Sequence, residues 1–350
     1  MSRSAPRVPH HRLLLAVLGL AGSSACTLAW AAGDAGEMLV RLSEAARKAN
    51  YEGEIVYQAQ NRLETLKVVH GVSDGVEMER IQTLTGSPRE IVKRDGKVVA
   101  VLSQDRRVTM DRSTPQSLFP ELKPEQIERL SAIYTFKEFD AARVAGRPCK
   151  GLAIAPKDQY RYGYRIWADA ETGVPLKVDL TAPSGAVLEQ MMFTSVRFPE
   201  QIAESAFEIS GGKAEVARVA PPGPLPPAAA QAKLQADLQQ IGRFRQLPPG
   251  YRVTMRSIRQ TADGGVIEHV LLSDGLSAIS VFNARRPDPA AGFTGDSRIG
   301  AVHAFGRTVG TIHITVVGEA PQETVRMIGD NVQNAADTTP ADAEEPRAGP

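Results

Sequence analysis

The residues able to do chemistry are few and poorly spaced for it. His70, His269, His303 and His313 are the only histidines beyond the N-terminal segment, and none stands at His-x-x-x-His or beside a cysteine, the spacings that bring two metal ligands together. Each reads as a strand residue rather than a ligand. No Gly-x-Ser-x-Gly elbow, phosphate loop or dinucleotide fingerprint occurs, so nucleophilic and nucleotide chemistry lack their usual frames. Glu77 and Glu79 are spaced to share one strand face, as a general acid and base would, but so are alternate residues of any exposed strand, and the pair reads as solvated. Cys149 reads as buried and inert, because Lys150 would lower its pKa only if both were exposed. No enzyme and no cofactor is expected.

One aromatic pattern remains. Tyr160, Tyr162, Tyr164 and Ile166 alternate against Arg161, Arg165 and Trp167, and Ile55 and Tyr57 alternate near the start of the same region. Core packing against helices is one account of these residues; an apolar ligand cavity is the other, if the sheet that carries them is curved.

The elements that position them spell an α+β protein that is mostly β. Met38, Leu39, Leu42, Ala45, Ala46 and Ala49 recur at helical spacing between Glu37 and Ala49. From Tyr51 the period becomes two, with strands expected at Glu54 to Gln58, Leu63 to His70, Val76 to Leu84, Arg89 to Lys93, Lys97 to Leu102 and Arg107 to Asp111. Ser73-Asp74-Gly75 and Asp95-Gly96 supply turns. A helix over Pro124 to Ala132, with proline in its first turn, interrupts the series. Strands resume at Gly151 to Ala155, Tyr160 to Ala168, Pro175 to Thr181 and Ala186 to Phe198. A sheet of about ten strands accumulates twist and curls, which creates a concave face.

A second, smaller unit runs from about Leu247 to Val332. About five strands and one helix, begun by Glu319-Ala320-Pro321 with Val325 and Ile328 a turn apart, leave part of one sheet face uncovered. Arg285, Arg286 and Arg298 flank the loop between its strands; they are placed either to meet acidic partner residues or to form a solvated basic loop.

Arg3, Arg7 and Arg12 precede the apolar run Leu13 to Leu20, and Ala29-Trp30-Ala31 resembles a cleavage site, so residues 1–31 read as an export signal and the mature chain as periplasmic. A lipoprotein anchor at Cys26 lacks the leucine expected three residues before it. Removing this segment takes three arginines and no acid, leaving 38 basic and 40 acidic residues and no electrostatic reason to bind nucleic acid. The expected organisation is a large domain over 34–211, a proline-rich linker over 212–246 with a helix-like run from Ala228 to Ile241, the small domain over 247–332 and a disordered acidic tail over 333–350. The tail composition already begins at Asp330.

Read in order, Tyr51-Glu52-Gly53, Glu64 to His70, Asp74 to Arg80, Tyr164-Arg165-Ile166-Trp167, Thr172 to Lys177, Leu247 to Tyr251, Ser273 to Phe282 and Thr315 to Pro321 resemble the RseB/MucB family of periplasmic sigma-E regulators. The resemblance covers Asp34 to about Val332. It implies a non-catalytic protein whose large domain is a LolA-like half-open antiparallel β-barrel covered by helices. The implied partner is the periplasmic segment of a single-pass anti-sigma factor (RseA or MucA), shielded from the site-1 protease and released on binding mislocalised lipid or lipopolysaccharide. On this view Ile55, Tyr57, Tyr160, Tyr162 and Tyr164 are candidates for lining a lipid cavity. A lipid or lipoprotein carrier of the LolA type is the alternative, and homo-oligomerisation stays open.

Overall fold

A computed structural model describes residues 32–94, 97–103, 106–110, 122–209, 216–218, 241–260, 266–285, 292–310 and 312–334. Residues 1–31, read above as an export signal, the run Ala228 to Gln240, Arg286 and most of the tail lie outside the described residues. The chain begins with α1 (Ala32–Lys48) and then enters β1 (Tyr51–Ala59), β2 (Arg62–Ser73), β3 (Val76–Thr83), β4 (Glu90–Arg94), β5 (Lys97–Ser103) and β6 (Arg106–Met110). After α2 (Pro124–Ile133) come β7 (Tyr134–Val144), β8 (Arg147–Pro156), β9 (Gly163–Asp169), β10 (Pro175–Thr181), β11 (Val187–Arg197) and the short β12 (Val216–Arg218).

These twelve strands form one open sheet in the order β12-β6-β5-β4-β3-β2-β1-β11-β10-β9-β8-β7, antiparallel except where β12 runs parallel to β6. The chain starts in the middle of the sheet, because β1 pairs with β2 on one side and with β11 on the other. The two end strands do not pair, so the sheet is half-open. α1 and α2 lie over one face, where Leu39, Leu42, Leu130, Leu152, Ile154 and Ile166 make a shared core. The apolar stripe of α1 thus meets the sheet as its spacing dictates.

The second unit comprises β13 (Ile241–Phe244), β14 (Arg252–Gln260), β15 (Val266–Ser273), β16 (Ala278–Arg285), β17 (Gly295–Ile299), β18 (Val302–Val309), β19 (Ile312–Glu319), α3 (Gln322–Asp330) and β20 (Val332–Asn334). Six strands form a sheet in the order β14-β15-β16-β19-β18-β17, while β13 pairs with β20. α3 packs on one face over Val270, Leu272, Ile279, Val281, Ile314 and Val316 through Val325 and Ile328.

Several sequence expectations change here. The large sheet has twelve strands and the small one six. β7 has no counterpart in the sequence reading. Its hairpin to β8 turns on Ala145 and Gly146, both at positive φ (48° and 76°), and alanine gives no turn signal at a position that favours glycine. By contrast the β2–β3 turn uses Asp74 and Gly75 at φ 51° and 78°, the residues such a two-residue turn prefers. The acidic tail starts later than its composition suggests: Asp330 ends α3, and Val332–Asn334 is a strand.

The expected strand from Tyr160 to Ala168 begins only at Gly163. The Tyr160 amide donates to Asp158 Oδ1 at 2.9 Å, a local Asx bond that competes with the ladder within the bend over residues 157–161. The two-residue alternation therefore does not extend back to Arg161, and this decides the site.

Candidate functional site

Arg161 was expected on the face opposite the tyrosines; it is instead the largest fully buried side chain among the described residues, at 0% exposure. Its guanidinium donates from Nη1 to Asp274 Oδ2 at 2.7 Å, from Nε to Asp158 Oδ1 at 2.9 Å, from Nη2 to Asp158 Oδ2 at 3.0 Å, and to the Pro249 carbonyl. It also lies over the rings of Tyr134 and Tyr251, 5.5 and 5.2 Å from their centroids. Asp274 belongs to the β15–β16 turn of the small unit and is equally sealed, accepting from Tyr134 Oη at 3.0 Å and from the Leu276 and Ser277 amides at 2.9 and 2.7 Å. A buried charge is tolerable only when it is paired and hydrogen-bonded, and here the ion pair and its hydrogen bonds span the joint of the two units. Thr324 Oγ1 from α3 and Tyr251 Oη donate to the Tyr160 carbonyl at 2.9 and 3.4 Å, extending the joint.

A second contact lies at the end of the large sheet. The β17–β18 hairpin presents Ala301, fully buried, whose amide donates to Glu189 Oε1 at 2.9 Å while Tyr162 Oη donates to its carbonyl at 3.3 Å. Tyr57 Oη donates to the other Glu189 oxygen. His303 beside it hydrogen-bonds the Ala320 carbonyl through Nδ1 at 2.8 Å, so that nitrogen carries the proton. Burial, reinforced by the charge of Glu189, pushes Glu319 up to about 6. The tip of the small unit is thus seated at the mouth of the curved sheet, against Tyr57, Glu189 and Tyr162.

Each candidate residue has a distinct place. Ile55 is fully buried among Tyr51, Val68 and Phe193. Tyr57 is half-buried at the mouth, and Tyr160 precedes β9 and offers its carbonyl to the joint. Tyr162 is buried with Leu180 and Ala301 at the joint, and Tyr164, on β9, packs between that cluster and the helix-covered core. Arg298 is exposed on β17, its Nε donating to the Gly300 carbonyl at 2.9 Å. Arg285 closes β16, paired in register with Val266 and Ile312. Sequence reasoning missed Arg161 and Asp274. The one available signal was Ser273-Asp274-Gly275, which reads as an ordinary turn.

The side of the small sheet away from α3 carries Leu271, His269, Phe282, Thr315 and Val317, all partly exposed, with the His269 ring stacked 4.5 Å from that of Phe282. No described helix covers this face.

Glu77 and Glu79 are not a solvated pair. Glu79 is 4% exposed, and burial pushes it up to about 7, whereas His70 at 3.7 Å and Lys93 at 2.9 Å hold Glu77 down to about 2. The helix α1 and strands β1 to β4 close over them, which the strand pattern alone does not reveal. The four histidines lie in β2, β15, β18 and β19, and among the described residues no three His, Cys, Asp or Glu side chains converge as a metal site.

Comparison with known proteins agrees with this architecture. The MucB/RseB N-terminal domain family matches residues 34–210, and the MucB/RseB C-terminal domain family matches residues 239–333. The sigma factor AlgU regulatory protein MucB of Pseudomonas aeruginosa is 30% identical over 329 residues, 91% of this chain and 97% of that one. The sigma-E factor regulatory protein RseB of Escherichia coli K12 is 28% identical over 312 residues, 86% of this chain and 91% of that one. The solved complex of Pseudomonas aeruginosa MucA and MucB superposes with a TM-score of 0.66 at 28% identity, covering 86% of this chain and 99% of that one. With both of its halves matched in order, the chain belongs to the MucB/RseB family.

Proposed function

We propose that this chain is a non-catalytic periplasmic regulator that binds the periplasmic segment of an anti-sigma factor, shields it from the first protease of an envelope-stress cascade, and so restrains a sigma-E-type factor. The observation that carries this reading is the likeness to a MucB solved together with MucA, which extends over both units rather than the large sheet alone. The uncovered face of the small sheet, with Leu271, Phe282 and Val317, supplies an apolar strip for an extended or helical segment, and Arg298 lies on the edge strand of that sheet. The working domains are 34–211 and 247–332. Titration of the mature chain with the periplasmic segment of its anti-sigma factor tests the reading: saturable binding and protection of that segment from proteolysis are expected, and absence of both refutes it.

Release is assigned to an acylated ligand, lipopolysaccharide or lipoprotein, entering the curved face near Tyr57 and Tyr164. Moving a two-state equilibrium from 1:99 to 99:1 needs about 5.5 kcal/mol of differential affinity. Burial contributes about 0.8 kcal/mol per methylene, so about seven methylenes buried only in the released state suffice. The Ala301 hairpin occupies the mouth, so entry and seating of the small unit compete. A carrier of the LolA type would work with the large sheet alone, which leaves the buried Arg161–Asp274 pair without purpose.

A further inference from the structure

One buried polar cluster of the large unit takes no part in the joint or in the uncovered face of the small sheet. His70 and Glu79 are paired in register across β2 and β3, and both lie inside, at 2% and 4% exposure. Glu77 shares their face of β3, and Lys93 of β4 is the register partner of Glu79 on the other side. The end of α1 roofs the cluster. The Ala49 carbonyl, just past the helix, accepts from His70 Nδ1 at 2.8 Å, the Ala46 carbonyl accepts from Tyr51 Oη at 3.4 Å, and Arg47 Nε lies 3.5 Å from Glu77 Oε2. The Tyr51 ring stacks on that of His70 at 4.7 Å and packs with Ile55, Val68 and Phe193, so the polar cluster borders the apolar interior under the helix.

The partners are shared unequally within this cluster. Glu77 has Lys93 at 2.9 Å and Arg47 beside it, whereas Glu79 makes no hydrogen bond and no ion pair among the described residues. His70 Nε2 is buried and also lacks a hydrogen-bond partner, since Glu77 Oε1 at 3.7 Å is too far. The groups around Glu79 are thus Tyr51 from β1, His70 from β2, Glu77 on its own strand, Lys93 from β4 and Arg47 from α1. A buried carboxyl without a donor is tolerable when neutral and costly when charged, because nothing replaces the water it has lost. We propose that Glu79 is a proton-operated latch for the end of α1: protonated, it lets the helix close over β1 to β3, and ionised, it draws in water and frees that end, opening the apolar interior beside Tyr51 and Ile55. Burial, which outweighs the attraction of His70 and Lys93, pushes Glu79 up to about 7 from its ordinary 4.5. The closed form therefore holds the proton more tightly; the latch is fully engaged below the ordinary value and is lost as pH rises through about 7. It needs neither the anti-sigma segment nor the acylated ligand of the proposed function, and it sets how readily any apolar ligand reaches this interior.

The test is amide hydrogen exchange of the mature full-length chain, followed peptide by peptide and compared with Glu79→Gln at the same pH so that the intrinsic exchange rate cancels. With Glu79 titrating at about 7 when closed and at 4.5 when open, ionisation favours opening by up to about 300-fold at pH 8 and only about fourfold at pH 5. Peptides over residues 44–56 and 66–82 are expected to exchange at least about tenfold faster in the unaltered chain than in Glu79→Gln at pH 8, and within about fourfold of it at pH 5. Strands β16 and β19 of the small sheet should exchange alike in both. Binding of the apolar dye N-phenylnaphthylamine should rise over the same pH interval in the unaltered chain and stay flat in the variant. Glu79→Leu, which also cannot ionise, is the second variant and should behave as Glu79→Gln does. The inference is overturned if the unaltered chain and both variants exchange alike at pH 8, or if the excess exchange is equal over both units, which marks global unfolding rather than a local latch. It is equally overturned if dye binding in the variants keeps the pH dependence of the unaltered chain.

Discussion

Removing the carboxylate of Asp274 is the most informative single change. In Asp274→Ala the guanidinium of Arg161, at 0% exposure, loses its 2.7 Å partner, Tyr134 Oη loses its acceptor, and two turn amides lose theirs. Breaking a buried pair from one side costs about 3–5 kcal/mol. Arg161 keeps both oxygens of Asp158 and the Pro249 carbonyl, so the lower end, about 3 kcal/mol, is expected. That corresponds to about a hundredfold in the docking equilibrium of the two units. Because the lost bonds bridge the units while the core of each sheet is untouched, the large sheet should keep its own melting transition while the small unit undocks below it. Trp167, buried in the large sheet, reports that transition by fluorescence, and limited proteolysis reports undocking. The double variant Arg161→Met with Asp274→Leu, which replaces the pair by apolar groups, should recover most of the loss, as buried pairs often do. The reasoning is refuted if Asp274→Ala changes stability by less than about 0.5 kcal/mol, the range of an ordinary surface substitution, or if the double variant is as unstable as the two single changes added together.

Further outcomes follow from the same structure. Glu79 is pushed up to about 7 from an unfolded value of 4.5, so the folded state holds its proton more tightly and stability falls as pH rises between those values. Glu79→Gln should therefore gain up to about 3 kcal/mol over the unaltered chain at pH 8 and little at pH 4, read by denaturant unfolding. Cys149 is 1% exposed and burial raises its pKa, so a thiol reagent should label the native protein only as fast as it unfolds. Gly250, at φ +81° with Ile133 Cδ1 2.8 Å from where a Cβ would stand, should not tolerate alanine: Gly250→Ala is expected to cost about 2 kcal/mol at the joint, measured by the same undocking assay. Tyr162→Asp buries a charge against Ala301 and should undock the hairpin, altering the response to acylated ligand while the large sheet keeps its melting transition; an unchanged lipid response in a folded variant would place ligand entry elsewhere.

Much of this protein is written locally. The period-two runs, the Asp74-Gly75 turn, the helical stripe of α1 and the proline that opens α2 each report a preference of a few neighbouring residues, and the corresponding elements form where those preferences lie. The family resemblance, carried by both halves in order, was likewise legible in the chain. Elements went unread where local signals were weak or overruled. β7 hides behind an alanine in a turn position that disfavours it, and the bend before β9 depends on one Asp158 side chain outcompeting the ladder.

The site belongs to the second kind of information. A sequence states that Arg161 and Asp274 are charged, and charge on its own predicts solvent exposure. Only the fold brings them together across 113 positions of chain, with Tyr134 and Tyr251 around them, and offsets the burial with the ion pair and the hydrogen bonds from Nε, Nη1 and Nη2. Glu79 likewise turns from a solvated strand residue into a buried one that holds its proton more tightly because α1 and three neighbouring strands close over it. Secondary structure and family follow from short-range preferences along the chain, whereas burial, pairing and surface grouping are properties of distances that only the tertiary structure sets.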